Sequence, residues 1–201
     1  MLYEDARRIA GEVIAALTPQ CERIEVAGSI RRREPEVKDI EIVYQSRMAA
    51  GQAQLFDLPT EALYPLAHDT IEHLVAEGFL AYDTVVRRNG PLYKRLIHQA
   101  SGEVVELFRA TAENWGLILA LRTGPAEFNK ILVAHGWDMG ILPPEVAIHD
   151  GAVWVRGTRY PVPEEETFFR LLGVPEWPAP QRHPGKLRLF QKARATLATF
   201  E

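Results

Sequence analysis

Three acidic residues, Asp39, Glu41 and Glu106, have the types and spacing to do chemistry. Asp39 and Glu41 stand two apart in Asp39-Ile40-Glu41-Ile42-Val43-Tyr44, an alternating run that reads as a strand, so both carboxylates project from one face. Glu106 lies in a later run, Glu103 to Phe108, and joins them if that strand lies alongside. Three hard oxygen donors on one sheet face suit Mg²⁺ or Mn²⁺. Two such ions ~3.5–4 Å apart clamp the attacking and leaving oxygens of a phosphoryl transfer. The competing reading of a D-x-E strand is a solvated, charged sheet face. Gly28-Ser29 tips the balance, because it ends a strand only a short turn before Asp39. A glycine there lets a phosphate approach the backbone, and the serine adds a hydroxyl donor. One of Arg31, Arg32 and Arg33 can fork onto phosphate oxygens.

The elements that must position these groups follow from periodicity. Leu2 to Leu17 reads as a helix, with Ile9, Val13, Ile14 and Leu17 at helical spacing and Pro19 as its stop. Arg23 to Ala27 alternates as a strand. Met48 to Pro59, rich in Ala, Gly and Gln, reads as a loop, and Tyr64 to Glu77 as a helix ended by Gly78. Tyr82 to Arg88 and Leu92 to His98 read as a hairpin around Asn89-Gly90. Val105 and Leu107 share one face of the next strand, with Val104 and Glu106 on the other. Beyond Thr111 the pattern changes to two short helices, Trp115 to Leu121 and Ala126 to His135. A small hairpin across Gly157 and a helix from Glu164 to Leu172 follow. The tail from Pro178 is Pro-rich, then basic. A boundary near residue 110 separates a strand-rich half from a mixed half.

Composition narrows the class. The chain has 201 residues, 47% apolar and 25% charged, enough for a real core without staples. Its net charge of -4 argues against a broadly basic nucleic-acid coat and leaves room only for local patches. The single cysteine, Cys21, excludes an intrachain disulfide. No run reaches the ~18 apolar residues of a membrane span, and the charged N-terminus does not read as a secretion signal. The six histidines show no metal-ligand spacing, and Trp115, Trp137, Trp154 and Trp177 read as packing residues. These features lead to the expectation of a cytoplasmic, monomeric protein with no membrane partner.

Gly28-Ser29-Ile30-Arg31-Arg32 followed by Asp39-Ile40-Glu41-Ile42 resembles the nucleotidyltransferase superfamily signature, and more narrowly that of the family X (beta-like) DNA polymerases. Val104 to Phe108 falls where that family places its third carboxylate. Trp115-Gly116, then Arg122-Thr123-Gly124-Pro125 to Phe128-Asn129-Lys130, resembles its T-G-S…F-N segment. Gly157 to Glu166 and Leu172 to Pro175 resemble its C-terminal hairpin and following helix end. The likeness runs in order from about residue 20 to residue 183. It implies an α+β fold: a nucleotidyltransferase palm, a mixed sheet with flanking helices, over residues 1–110. A small α/β domain of the thumb or fingers type would follow over 111–201 and close on the nucleotide.

The resemblance also implies roles. Asp39 and Glu41 would bridge two ions, Mg²⁺ or Mn²⁺, and Glu106 would hold the catalytic one and help accept the primer 3′-hydroxyl proton. Gly28, Ser29 and Arg32 would lie on the phosphates of a nucleoside triphosphate, and Lys38, beside Asp39, is read either as a further phosphate contact or as a solvated lysine. Leu121, Arg122, Gly124 and Asn129 would line its sugar and base. DNA would be held by Arg87, Arg88, Lys94 and Arg95 on the hairpin and by Arg182 and Lys186 in the tail, where residues 182–194 carry five basic residues and no acid. The sequence departs from the family at Glu41 and Glu106, which stand where the family usually has Asp, at Lys38 in place of a glycine, and at Leu121-Arg122 in place of two aromatics. An added methylene shifts the ions, so lowered activity or a preference for Mn²⁺ is expected. Only about 20 residues precede the signature, so no lyase activity is expected. The expected reaction is primer extension in DNA repair. The alternatives are nucleotide transfer to a non-DNA acceptor and a catalytically weak DNA- or nucleotide-binding module.

Overall fold

Helix α1 spans Tyr3–Leu17 because Ala6, Ile9, Ala10, Val13 and Leu17 recur on one stripe, and all five are buried. The protein is described by a computed structural model over residues 1–55, 58–86 and 89–198, with side chains described except at 51–62, 137 and 194–198. Arg87 and Arg88 therefore lie outside the described residues. The fold is mixed α+β, and the chain divides into two units, residues 1–26 with 37–111 and residues 27–36 with 112–201. The short stretch 27–36, which lies well before the expected boundary near 110, belongs to the second unit.

The first unit is built on a five-stranded mixed sheet in the order β1-β2-β7-β6-β5. Its strands are β1 (Cys21–Val26), β2 (Ile40–Ser46), β5 (Leu80–Tyr82), β6 (Tyr93–His98) and β7 (Glu103–Arg109). The pair β2–β7 is parallel and the other pairs are antiparallel. Ile40, Ile42, Leu80, Leu96, Val105 and Leu107 are fully buried on one face. There α1 and α3 (Ala67–Ala76) pack on the sheet. Each such side chain contributes about 1.5–3 kcal/mol by leaving water.

Three expectations change in this unit. The stretch expected as a loop after Met48 pairs as an antiparallel ribbon, β3 (Met48–Leu55) with β4 (Leu58–Pro65). Strand β4 takes in Tyr64 and Pro65, so α3 begins later than periodicity suggested. The tight turn falls just beyond Asn89-Gly90: Asn89 bridges Lys94, and the Gly90 amide donates to the Tyr93 carbonyl at 2.7 Å. Strand β5 stops at Tyr82, and Asp83 Oδ1 accepts the amides of Val85 (2.9 Å) and Val86 (3.0 Å), which turns the chain early.

The second unit contains α2 (Gly28–Arg32), α4 (Trp115–Thr123), α5 (Ala126–Val133), α6 (Glu165–Leu171) and α7 (Pro184–Ala198). A three-stranded antiparallel sheet, β10-β9-β8 (Thr158–Tyr160, Ala152–Val155, Val146–His149), completes it. The expected small hairpin thus gains a third strand, and the basic tail becomes α7. Leu117, Phe128, Leu132, Val153, Phe168, Phe169 and Leu187 form its core. Gly116 is dictated by a close approach: a Cβ there would lie 2.1 Å from the Glu164 carbonyl carbon. That crossing of α4 over the start of α6 sets the position of Glu165. Among the described residues, no helix is long and apolar enough to cross a membrane.

Candidate active site

The register of the parallel pair places Glu41 directly opposite Glu106. Alternation then puts both on the sheet face opposite Ile40, Ile42, Val105 and Leu107. Asp39 sits one residue before β2, half-buried in a bend rather than in the strand. Burial pushes its carboxyl above the ordinary range, and the negative charge of Glu106 pushes it further. Arg95 and Lys38 pull the other way. The first unit thus sets Glu41 opposite Glu106 and leaves Asp39 within electrostatic reach of Glu106.

Arg95 is the residue that sequence reasoning placed elsewhere. It pairs across the strands with Glu106, so its side chain lies on the same face. Its Nη1 donates to Glu106 Oε1 at 2.6 Å and its Nε to Asp83 Oδ2 at 2.8 Å. The Tyr93 hydroxyl donates to the same Glu106 oxygen at 2.6 Å, and burial together with that bond pushes the phenol up to about 12. The backbone amide of Val86 and the Arg95 guanidinium hold Asp83 below the usual carboxylate range. Arg95 therefore does not offer a guanidinium to a phosphate backbone; it is the counter-charge of two carboxylates. Lys94 is also engaged, 3.6 Å from Glu72 Oε1 and over the ring of Tyr82. The registers of β6 with β5 and β7 are the signal that could have placed both.

Among the described residues, no three His, Cys, Asp or Glu side chains stand in a geometry that holds a metal. The donor chemistry nonetheless fits a hard divalent cation: the three expected ligands are all carboxylates, and Asp39 and Glu106 repel each other. Arg95 offsets part of that charge at Oε1 of Glu106.

The remaining expected site residues, except Lys38, belong to the second unit. Lys38 belongs to the first and is exposed beside Asp39. Gly28 opens α2 with φ of 56°, a conformation that favours glycine, and Ser29 follows half-buried. Arg31 is bidentate to Glu165, at 2.9 and 2.7 Å, and donates to the Thr123 hydroxyl at 2.8 Å. Arg32 donates to the Thr123 carbonyl at 2.8 Å and lies 3.4 Å from Glu34. Arg182 departs most from expectation. Its side chain is 1% exposed, bonded to Glu165 at 2.6 Å and to the Trp177 carbonyl at 3.0 Å, and stacked over Phe169. A guanidinium so enclosed reads no DNA. Burial alone would raise Glu165, but Arg31 and Arg182 outweigh it and hold the carboxyl below its usual range.

Asn129 donates its amide to the Leu121 and Gly124 carbonyls, closing the end of α4. Its Oδ1 is buried, with no hydrogen-bond partner among the described residues. A Cβ at Gly124 would meet Asn129 Oδ1 at 2.2 Å, so a larger residue there would displace the Asn129 side chain. Leu121 packs against the core, and Arg122 is exposed on the last turn of α4. Lys186 donates to Gln181 at 2.7 Å. Compared with models of known protein families and with curated proteins, the chain matches none.

Proposed function

We propose that this chain is a metal-dependent nucleotidyltransferase of the family X polymerase type, which adds a nucleotide from a nucleoside triphosphate to a DNA primer 3′-hydroxyl and releases pyrophosphate. One observation carries the reading: Glu41 and Glu106 stand opposite each other in the parallel pair, with Asp39 just ahead of β2 and repelled by Glu106. A carboxylate set under its own repulsion is stabilised by a divalent cation. On this reading Asp39, Glu41 and Glu106 would hold two Mg²⁺ or Mn²⁺ ions, which would supply electrostatic stabilisation of the attacking and leaving oxygens. Glu106 accepts the proton of the 3′-hydroxyl once Arg95 releases its Oε1. Ser29 and Arg32 hold the triphosphate. The bond of Arg32 to the Thr123 carbonyl fixes its guanidinium beforehand, so less freedom is lost on binding. Gly124 and Asn129 line the nucleotide, and Lys186, Arg188 and Lys192 on α7 follow the DNA backbone.

The test is extension of a primed template by the purified chain with Mg²⁺ and with Mn²⁺. Wild type should extend the primer, and Asp39→Ala should abolish extension while melting and circular dichroism stay native. The Arg95–Glu106 ion pair favours a second reading, a nucleotide- or DNA-binding module without turnover. DNA binding without extension under either metal would select it.

A further inference from the structure

The helix-covered face of the first unit carries a cavity of about 400 Å³ that the carboxylate chemistry does not use. Tyr44, Tyr64, His68, Asn89, Lys94 and Arg109 line it. Tyr44 and Arg109 are partners in the parallel register of β2 and β7. Tyr44 is three residues beyond Glu41, and Arg109 three beyond Glu106, so alternation turns both away from the carboxylates.

Most charges around this cavity are already matched. The Tyr64 hydroxyl donates to Asp69 at 2.6 Å, and its ring meets His68 edge-on at 5.8 Å. Glu72 accepts from Tyr82 and lies 3.6 Å from both His68 and Lys94. Two groups are different. Tyr44 is 4% exposed, yet its hydroxyl has no hydrogen-bond partner among the described residues. Arg109 makes no ion pair with a described carboxylate, and the charge it exerts falls on the Tyr44 phenol. A hydroxyl and a guanidinium without an ion-pair partner, both lining one cavity, offer two donor groups and one positive charge to an incoming group. The Tyr64 ring and Pro91 supply apolar surface in its lining. The volume lies within the range of about 300–1,000 Å³ for small-molecule sites.

We propose that this cavity binds a small molecule with a planar ring and an oxyanion, the oxyanion on Arg109 and the Tyr44 hydroxyl and the ring between Tyr64 and Pro91. Arginine suits the role because its fork matches two oxygens of a phosphate or carboxylate. The site takes no part in the proposed transfer reaction.

Phenyl phosphate and inorganic phosphate are the probes, followed by amide NMR of the full chain. Phenyl phosphate should saturably shift the amides of residues 44, 64–68, 89–94 and 109, and bind more tightly than inorganic phosphate. Arg109→Gln should weaken it at least tenfold and Tyr44→Phe severalfold, with melting temperatures recorded for both. Asp39→Ala should leave it unchanged, whether or not the chain extends primers. Equal affinity in wild type, Arg109→Gln and Tyr44→Phe would overturn the proposal, as would shifts confined to other residues. Tyr44→Phe keeps the cavity wall, so its affinity for phenyl phosphate still decides the matter if Arg109→Gln fails to fold.

Discussion

Glu106 and Glu165 both accept hydrogen bonds from arginine, but the charge around them runs in opposite directions. At Glu106, a single guanidinium serves two acids, while Asp39 and Glu41 add negative charge on the same side of the sheet. At Glu165, two guanidiniums serve a single acid inside a nearly closed pocket. Asp39, in the first region, has its carboxyl pushed up, and Glu165 in the second has its own held down. An acid surplus at the surface of a sheet is a place where a cation gains. A buried, fully hydrogen-bonded carboxylate is a place where the chain is pinned, and removing it leaves guanidiniums that nothing offsets.

The largest effect is expected where the pin is cut. Glu165→Gln strands Arg31 and the buried Arg182, and should cost about 3–5 kcal/mol in denaturant unfolding. A loss below about 1 kcal/mol would show that this cluster is no tighter than a surface pair. Gly116→Ala comes next. Its Cβ would overlap the Glu164 backbone, so a loss of about 1–3 kcal/mol is expected as α4 and α6 move apart, read by the same unfolding experiment.

Acid titration separates the two regions by sign. Glu165 has a lowered folded-state pKa, so it contributes stability that is fully present above the unfolded value, near 4.5, and is lost as pH falls towards the folded one. Wild type should therefore lose stability below pH 4.5 more steeply than Glu165→Gln. Asp39 has a raised folded-state pKa, so the native state binds its proton more tightly than the unfolded chain does. Stability then falls as pH rises from the unfolded value of 3.8 through the folded one. Asp39→Asn should flatten that segment and raise stability at neutral pH, by less than about 1 kcal/mol given its partial exposure. Equal pH profiles for the two variants would erase the distinction. The finest readout comes from Arg95→Met, which removes a cation that lowers Asp39. Carboxyl-carbon NMR should show the Asp39 titration move upward, and a downward shift would contradict the assigned role of Arg95.

Some of this was legible beforehand. Strands β1, β2 and β7 announced themselves through alternation, and the buried set Ile40, Ile42, Val105 and Leu107 is the one that period two selects. Helices α4 and α6 followed their stripes and breaks. Strands β3 and β4 did not, because Ala, Gly and Gln have weak strand preference and only pairing holds them extended. Helix α7 was hidden behind proline and a run of basic residues, since Leu187, which is fully buried, finds its partners in the folded core.

The site divides the same way. The order of residues alone settles that Asp39 and Glu41 stand two apart, that Gly28-Ser29 precedes them, and that an acid recurs at 106, because spacing along a strand fixes which side chains share a face. Which charges meet is settled by folding. Arg95 reads as a surface cation in a basic hairpin until β6 lies beside β7, and Arg182 reads as part of a basic tail until the chain returns it to Glu165. Strand register and long-range packing are set by the summed burial of many side chains. The partner of a single arginine is a consequence of that sum, and no local pattern around residue 95 or 182 encodes it.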